Sequence, residues 1–347
     1  MSGQAPSTGA RRQALTTLGS LAAVACIGPG CAQPPRPAEA AAPAAGATVD
    51  ETWPDATRQR QLPVRVRWPA TGSPPAGGWP VVLFSHGLGG TRAGGEAWGR
   101  AWAAAGLVVV HLQHPGSDLA AVRGSGASSF GDREALRRAA SPQQLLARLQ
   151  DVGFALDELT RRQAARSGRW ADVRVQRVGL AGHSFGAHTT LGMAGQRYPG
   201  FAGVAEPRLA AFIALSPTVP AAGDARTAFA ALTRPVLALT GTLDGDVMGN
   251  GATPERRRAV FDALPPGRKA QLVLADADHM TFAGQTGAAA EIVPRAEVTR
   301  RLQPPHHALV ATLTTDWWRA WLMDDEAARQ RLKQPAGLAA GDRWSTG

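Results

Sequence analysis

Cysteine is nearly missing from this chain. Cys26 and Cys31 are the only two in 347 residues, and both lie near the N-terminus. The remainder therefore carries neither a disulfide framework nor a thiolate metal site. Lysine is as scarce: Lys269 and Lys333 stand alone, and arginine supplies most of a net charge of +10. The arginines are scattered, with short clusters such as Arg256-Arg257-Arg258. A nucleic-acid-binding face calls for a concentrated basic stripe with interleaved aromatics. None is present, so no nucleic-acid partner is expected. No apolar run is long and clean enough for an internal membrane span. What is present, at 44% hydrophobic and 18% charged residues, is enough apolar material for a large folded core.

The first residues read as an export signal rather than as fold. Arg11-Arg12 precede a moderately apolar stretch from Ala14 to Ile27, and Ala23-Val24-Ala25 fits a small-residue cleavage site. The arginine pair resembles a twin-arginine signal, with Ala14 where phenylalanine is preferred. The residues before Cys26 also loosely resemble a lipoprotein box, with Ala23 where leucine is usual; Cys31, after Gly28-Pro29-Gly30, is a poorer match. Residues 1–31 are thus expected to export the protein to the periplasm, the outside or the membrane surface. Simple cleavage and anchoring through a lipidated Cys26 both stay open. Residues 32–48 are Ala/Pro-rich and nearly uncharged. They bury too little side chain to offset ordering entropy, and read as a disordered linker.

From about residue 60, apolar runs alternate with helical patterns. Leu62 to Trp68 alternates like an edge strand. Pro80 to Phe84, Leu107 to Val110, Val173 to Leu180, Ala211 to Leu215, Val236 to Leu239 and Leu272 to Leu274 read as further strands. Glu96–Ala105, Pro142–Leu159, Ser184–Gly195, Pro254–Leu264 and His307–Leu322 read as helices; Leu145, Leu149, Val152 and Leu156 have helical spacing. Continuous apolar strands imply burial on both faces, and alternation with helices implies parallel crossovers. An α/β domain over 49–325 follows, with a polar tail over 326–347. Residues 116–140 are Ser/Gly/Arg-rich and form the candidate excursion over the sheet edge.

One constellation carries chemistry. Gly182-His183-Ser184-Phe185-Gly186 follows a predicted strand and opens a predicted helix. This is G-x-S-x-G in the setting of a nucleophile elbow. The turn is sharp, so its flanks must be small, and Ser184 is lifted clear of the sheet. A serine hydroxyl needs a base to take its proton. His279 lies after a later strand as that base, and Asp244 lies between as the acid that orients its ring. Asp246, two residues on, is the alternative acid. A metal site of Asp276, Asp278 and His279 finds no second histidine pair at ligand spacing. His188 reads as packed or supporting, and His306 and His307 as sitting on a helix start. An oxyanion hole needs two backbone donors. Phe185 N–H is one; Leu88 N–H, in the loop Ser85-His86-Gly87-Leu88-Gly89-Gly90, is the other, with Gly87 as fallback. His86 either braces this loop or is a buried structural histidine. His86, Gly87 and His183 are the candidate substrate-contacting or supporting residues. Trp98 and Trp102, four apart on one helix, read as packing rather than as a substrate platform.

These segments resemble a known family. Phe84–Gly90, Val109–Gly116, Gly182–His188, Leu239–Asp244 and Asp278–Phe282 look like those of α/β-hydrolases of the dienelactone-hydrolase-like superfamily. They are most similar to bacterial serine esterases related to platelet-activating-factor acetylhydrolase isoform II, and more distantly to cutinase-like polyester hydrolases. The resemblance implies an eight-stranded, mostly parallel sheet, no cofactor, and ester hydrolysis through an acyl-enzyme. True dienelactone hydrolases carry cysteine where this chain has Ser184, and cutinase-like enzymes often carry a C-terminal disulfide that this chain lacks. The expected substrate is a small-molecule or lipid-like ester with a short acyl chain. The alternative is a hydrolase-fold protein of the cell envelope that binds without catalysis.

Overall fold

The continuous apolar runs form the middle of a single twisted sheet. The computed structural model describes residues 46–70, 73–123, 133–247, 249 and 251–347. The export signal, Cys26, nearly all of the linker, and 124–132 of the proposed excursion lie outside the described residues.

Nine strands follow in chain order: β1 (Thr48–Asp55), β2 (Arg60–Arg67), β3 (Trp79–Ser85), β4 (Val108–Leu112), β5 (Val173–His183), β6 (Leu209–Leu215), β7 (Val236–Leu243), β8 (Lys269–Asp278) and β9 (Arg343–Thr346). In space they lie in the order β1-β2-β4-β3-β5-β6-β7-β8-β9. The run from β4 to β8 pairs parallel throughout, and β1, β2 and β9 join antiparallel. The helices are α1 (Glu96–Ala104), α2 (Leu119–Arg123), α3 (Arg133–Ala139), α4 (Pro142–Ala164), α5 (Phe185–Met193), α6 (Ala225–Phe229), α7 (Pro254–Ala263), α8 (Glu297–Leu322) and α9 (Glu326–Lys333).

Every residue of β3 and β4 is buried, because helices cover both faces. On one face Val81, Leu83 and Val110 pack with Leu149, Val152 and Leu156 of α4. On the other, Val82, Phe84 and Val109 pack with Trp98 and Trp102 of α1 and Val310, Leu313 and Trp318 of α8. Trp102 donates its Nε1–H to Thr314 Oγ1 (2.9 Å), Trp98 donates to Phe282 O (3.1 Å), and the Trp102 and Trp318 rings meet edge to face. These tryptophans fill core.

Three expectations need correction. The sheet has nine strands rather than eight. The ninth comes from residues 326–347, expected as a polar tail. Ala328 and Leu332 of α9 are buried, Trp344 of β9 donates to Leu332 O (2.9 Å), and β9 pairs with the outer edge of β8. An open β8 edge would present unpaired backbone groups, and β9 covers them. Second, β2 is not an edge strand, because β1 pairs along its whole length and buries Trp53. Third, α8 begins ten residues before His307 and runs through Pro304-Pro305, so His306 and His307 sit within the helix rather than at its start. The prolines remove two backbone N–H donors. The first turns are held instead by Thr299 Oγ1, which donates to Asp276 O (2.8 Å), and by Gln303 Nε2, which donates to Gln285 O (2.9 Å).

Candidate active site

The parallel strands all end on one sheet edge, where open α/β folds place their sites. β5 delivers Ser184 there. The chain must reverse from strand into α5 within one residue, and Ser184 does so at φ 55°, ψ −114°. That backbone region is unusual for a residue with a side chain. The turn closes only because its flanks are small. A Cβ on Gly182 would lie 2.2 Å from Gly186 O, and one on Gly186 would lie 2.0 Å from Ser85 O. Ser184 N–H donates to Leu215 O (2.9 Å) and ties the turn to β6.

Asp244 follows β7, and His279 follows β8. His279 Nδ1–H donates to Asp244 Oδ1 (2.9 Å), which leaves Nε2 as the free ring nitrogen. Asp244 is fully buried. Its other oxygen accepts from Thr240 Oγ1 (2.8 Å), and Arg257 Nε lies 2.9 Å from Oδ1. Burial pushes the Asp244 carboxyl up, but the His279 hydrogen bond and the Arg257 charge outweigh it and hold it below the usual carboxylate value. Asp246 does other work: its carboxylate accepts the N–H groups of Gly249 (2.7 Å) and Gly251 (2.5 Å) and shapes the loop after β7. Asp276, Asp278 and His279 do not converge on a metal, since Arg295 Nε takes Asp278 (2.7 Å) and Asp244 takes His279. Among the described residues no cluster of potential ligands is suited to a metal.

His183 donates from Nε2 to His279 O (3.0 Å). Burial first, and then the neighbouring His279, keep its pKa well below the usual histidine value, so it is a neutral prop under His279. His86 is likewise buried and neutral. Its Nε2 accepts the His114 N–H (3.0 Å), so its Nδ1 carries the proton and donates to Gly87 O (2.6 Å). A Cβ on Gly87 would lie 3.4 Å from Ser184 Cβ, so the loop passes directly beside the serine. The N–H groups of Leu88 and Phe185 have no partner among the described residues.

Two cavities meet at Ser184, His279 and Leu88. One, of about 460 Å³, is lined by polar groups that include His188, Ser216, Thr218 and Arg257. The other, of about 550 Å³, is lined mainly by apolar groups such as Phe84, Leu119, Met280, Ala283 and Ile292. His188, expected as a packed or supporting residue, borders the polar cavity; burial and the Arg257 charge lower its pKa to about 4. The described ends of residues 116–140 flank both spaces, Leu119 and Arg123 on the apolar side and Leu136 and Arg137 on the polar side.

Residues 57–127 match the family described as platelet-activating factor acetylhydrolase, isoform II. That span runs from just before β2 through α2 and includes the loop of His86 to Gly90. The mostly parallel sheet flanked by helices is that of the α/β-hydrolase fold. Over the matched span the chain is similar to hydrolases of the platelet-activating-factor-acetylhydrolase and esterase type. No curated protein gives a significant match. The matched span stops short of Ser184, Asp244 and His279.

Sequence reasoning missed two arginines in this hydrolase. Arg257 donates to Asp244 O (2.9 Å) and Ser216 O (2.6 Å). Its signal was its place three residues before Val260 on the buried face of α7. Arg148 of α4 is wholly buried beneath the His86–Gly87 loop. Beside it runs a second Ser-His-Asp chain: Ser85 Oγ–H donates to His114 Nε2 (2.9 Å), and His114 Nδ1–H donates to Asp151 Oδ2 (3.0 Å). All three residues are sealed from solvent, so this chain has no access to substrate. It ties α4 to the strand that carries the loop.

Proposed function

We propose that this hydrolase is a serine esterase in which Ser184 attacks the ester carbonyl, His279 takes its proton, and Asp244 orients and stabilises the imidazolium. The observation that carries this reading is the buried Asp244–His279 hydrogen bond beside a cavity that Ser184 also borders. Ser184 and His279 share no direct hydrogen bond in the unliganded protein, and such bonds commonly tighten only with substrate.

In the first step Ser184 Oγ bonds to the carbonyl carbon and His279 Nε2 receives the hydroxyl proton. The carbonyl oxygen becomes an oxyanion facing the free N–H groups of Leu88 and Phe185. The C–O bond to the alcohol then breaks, and His279 returns the proton to the leaving oxygen. Water repeats the sequence and frees the acid. The apolar cavity suits a short acyl chain, and the polar one suits the hydrated part of the ester. Export through residues 1–31, with or without a lipid on Cys26, belongs to the same proposal and rests on sequence alone.

The test is hydrolysis of p-nitrophenyl esters of increasing acyl length by wild type and Ser184→Ala. Loss of rate on the order of 10⁶, as in a comparable triad, supports the reading. A wild type inert on every ester and unlabelled by a fluorophosphonate would favour the binding-protein alternative.

A further inference from the structure

We propose that Arg148 is the positioning residue of the oxyanion hole: it fixes the Gly87–Leu88 peptide so that the Leu88 N–H faces the reacting carbonyl. The inference rests on the esterase reading above and deepens it.

The oxyanion loop is closed by backbone bonds from Gly89 N–H to Ser117 O (3.0 Å), from Gly90 N–H to Gly87 O (3.1 Å) and from Leu119 N–H to Gly90 O (3.1 Å). His86 is followed by Gly87, Leu88, Gly89 and Gly90, and glycine leaves backbone orientation free. Arg148 anchors these turns to the core from below. Its Nη1 donates to His86 O (2.8 Å), and its Nη2 lies 3.2 Å from His86 Nδ1 and 3.5 Å from Gly87 O, which accepts from His86 Nδ1–H (2.6 Å) and Gly90 N–H (3.1 Å). Two successive carbonyls are thus turned toward one guanidinium. A trans peptide is planar, so its N–H points opposite to its C=O. With Gly87 O turned inward, the Leu88 N–H points outward, on the side where Leu88 borders both cavities.

Arg148 touches the second donor as well. Its guanidinium carbon lies 4.5 Å from the centre of the Phe185 ring. One buried cation therefore contacts both segments that provide the oxyanion donors. Its own geometry is fixed from below: Nε donates to Ser117 Oγ (2.7 Å), and Nη1 lies 3.4 Å from Ser85 Oγ, whose proton is committed to His114. Lysine cannot reproduce this, because a single ammonium lacks the planar fork that spans two carbonyls and a hydroxyl.

The experiment compares Arg148→Met and Arg148→Lys with wild type on a p-nitrophenyl ester. Competent sites are counted by fluorophosphonate titration carried to completion. A positioning role predicts that Arg148→Met lowers kcat per titrated site about 10²–10³-fold, the usual cost of one lost oxyanion donor, with KM within about threefold. Binding of an alkyl boronic acid, whose tetrahedral adduct carries the oxyanion, weakens by a comparable factor. Arg148→Lys falls between. A kcat per titrated site within about threefold of wild type overturns the proposal, even if the melting temperature drops. Should Arg148→Met not fold, Ser117→Ala, which frees one end of the guanidinium, is expected to lower kcat about three- to tenfold at constant KM; an unchanged kcat overturns the proposal equally. If Ser184→Ala keeps the wild-type rate, the esterase reading itself has failed. If Ser184→Ala is dead and the Arg148 variants are not, only the positioning role has.

Discussion

Acidification should destabilise this protein well before its carboxylates titrate. Buried histidines drive the effect: burial lowers the pKa values of His86, His183, His188 and His307, and His111 and His114 give two worked cases. His111 and His114 are sealed from solvent, and burial lowers their pKa values to about 3 and about 4. Each donates one hydrogen bond as a neutral ring, His111 Nδ1–H to Gly94 O and His114 Nδ1–H to Asp151, and His114 Nε2 also accepts from Ser85 Oγ–H. In the unfolded chain both titrate near 6.5. Between about pH 6.5 and pH 4 the unfolded state therefore binds more protons than the folded one, and stability falls as pH falls. At pH 5 each histidine costs about 2 kcal/mol relative to pH 7.5, or about 4 kcal/mol together. That is a large share of the 5–15 kcal/mol typical of a domain. Asp151, held to about 2, is ionised in both states at pH 5 and adds little there; its loss of stability begins nearer pH 4, where the unfolded carboxyl titrates. The assay is urea unfolding at pH 7.5 and pH 5, with His111→Asn beside wild type. Asparagine can still donate to Gly94 O but does not titrate, so the pH-dependent loss should shrink by about 2 kcal/mol. Equal stability at the two pH values, or an undiminished loss in the variant, would refute the reasoning.

Two further outcomes follow from the site geometry. Asp244→Asn should lower kcat about 10⁴-fold, as in a comparable triad, whereas Asp246→Asn, which loosens the Gly249–Gly251 turn, should cost less than about tenfold; similar losses for both in steady-state kinetics would show that the acid is wrongly assigned. Gly186→Ala would drive a Cβ against Ser85 O and C, at 2.0 and 2.7 Å, with only backbone to yield. A stability loss of at least about 4 kcal/mol by chemical denaturation is expected, and a loss below about 1 kcal/mol would show that the elbow is looser than it looks.

The parts of the fold that were legible are those where burial on two faces forces a continuous apolar run. β3, β4, β6, β7 and β8 announce themselves in that way. β1 does not, because Thr48–Asp55 buries only Trp53 and Asp55; a strand that pairs by backbone and shows solvent most of its side chains leaves little hydrophobic period. β9 is four residues long and too short for any pattern. The start of α8 was hidden by Pro304-Pro305, which read as a boundary because local propensity knows nothing of the Thr299 and Gln303 contacts that hold the earlier turns.

At the site, the three proposed reacting side chains and the two proposed oxyanion donors were legible because chemistry restricts them to few residue types at strand ends. Their supports were not, because a buried charge has no fixed sequence partner. Yet α4 and α7 both carried a usable signal. Leu145, Leu149, Val152 and Leu156 mark the inward stripe of α4, and Arg148 and Asp151 fall within it. Arg257 falls on the inward face of α7 beside Val260. An arginine on an apolar stripe is costly to bury unless carbonyls or carboxylates meet it, so its presence points to a polar target inside the fold. Arg257 meets Asp244 and the carbonyls of Ser216 and Gly245. Arg148 meets the carbonyls of His86 and Gly87. Ser216 borders the polar cavity, and His86 and Gly87 border the apolar one; Ser184 lines both. The two arginines thus support different parts of the proposed reaction, one beside the proposed base and its acid, the other beneath the proposed oxyanion loop.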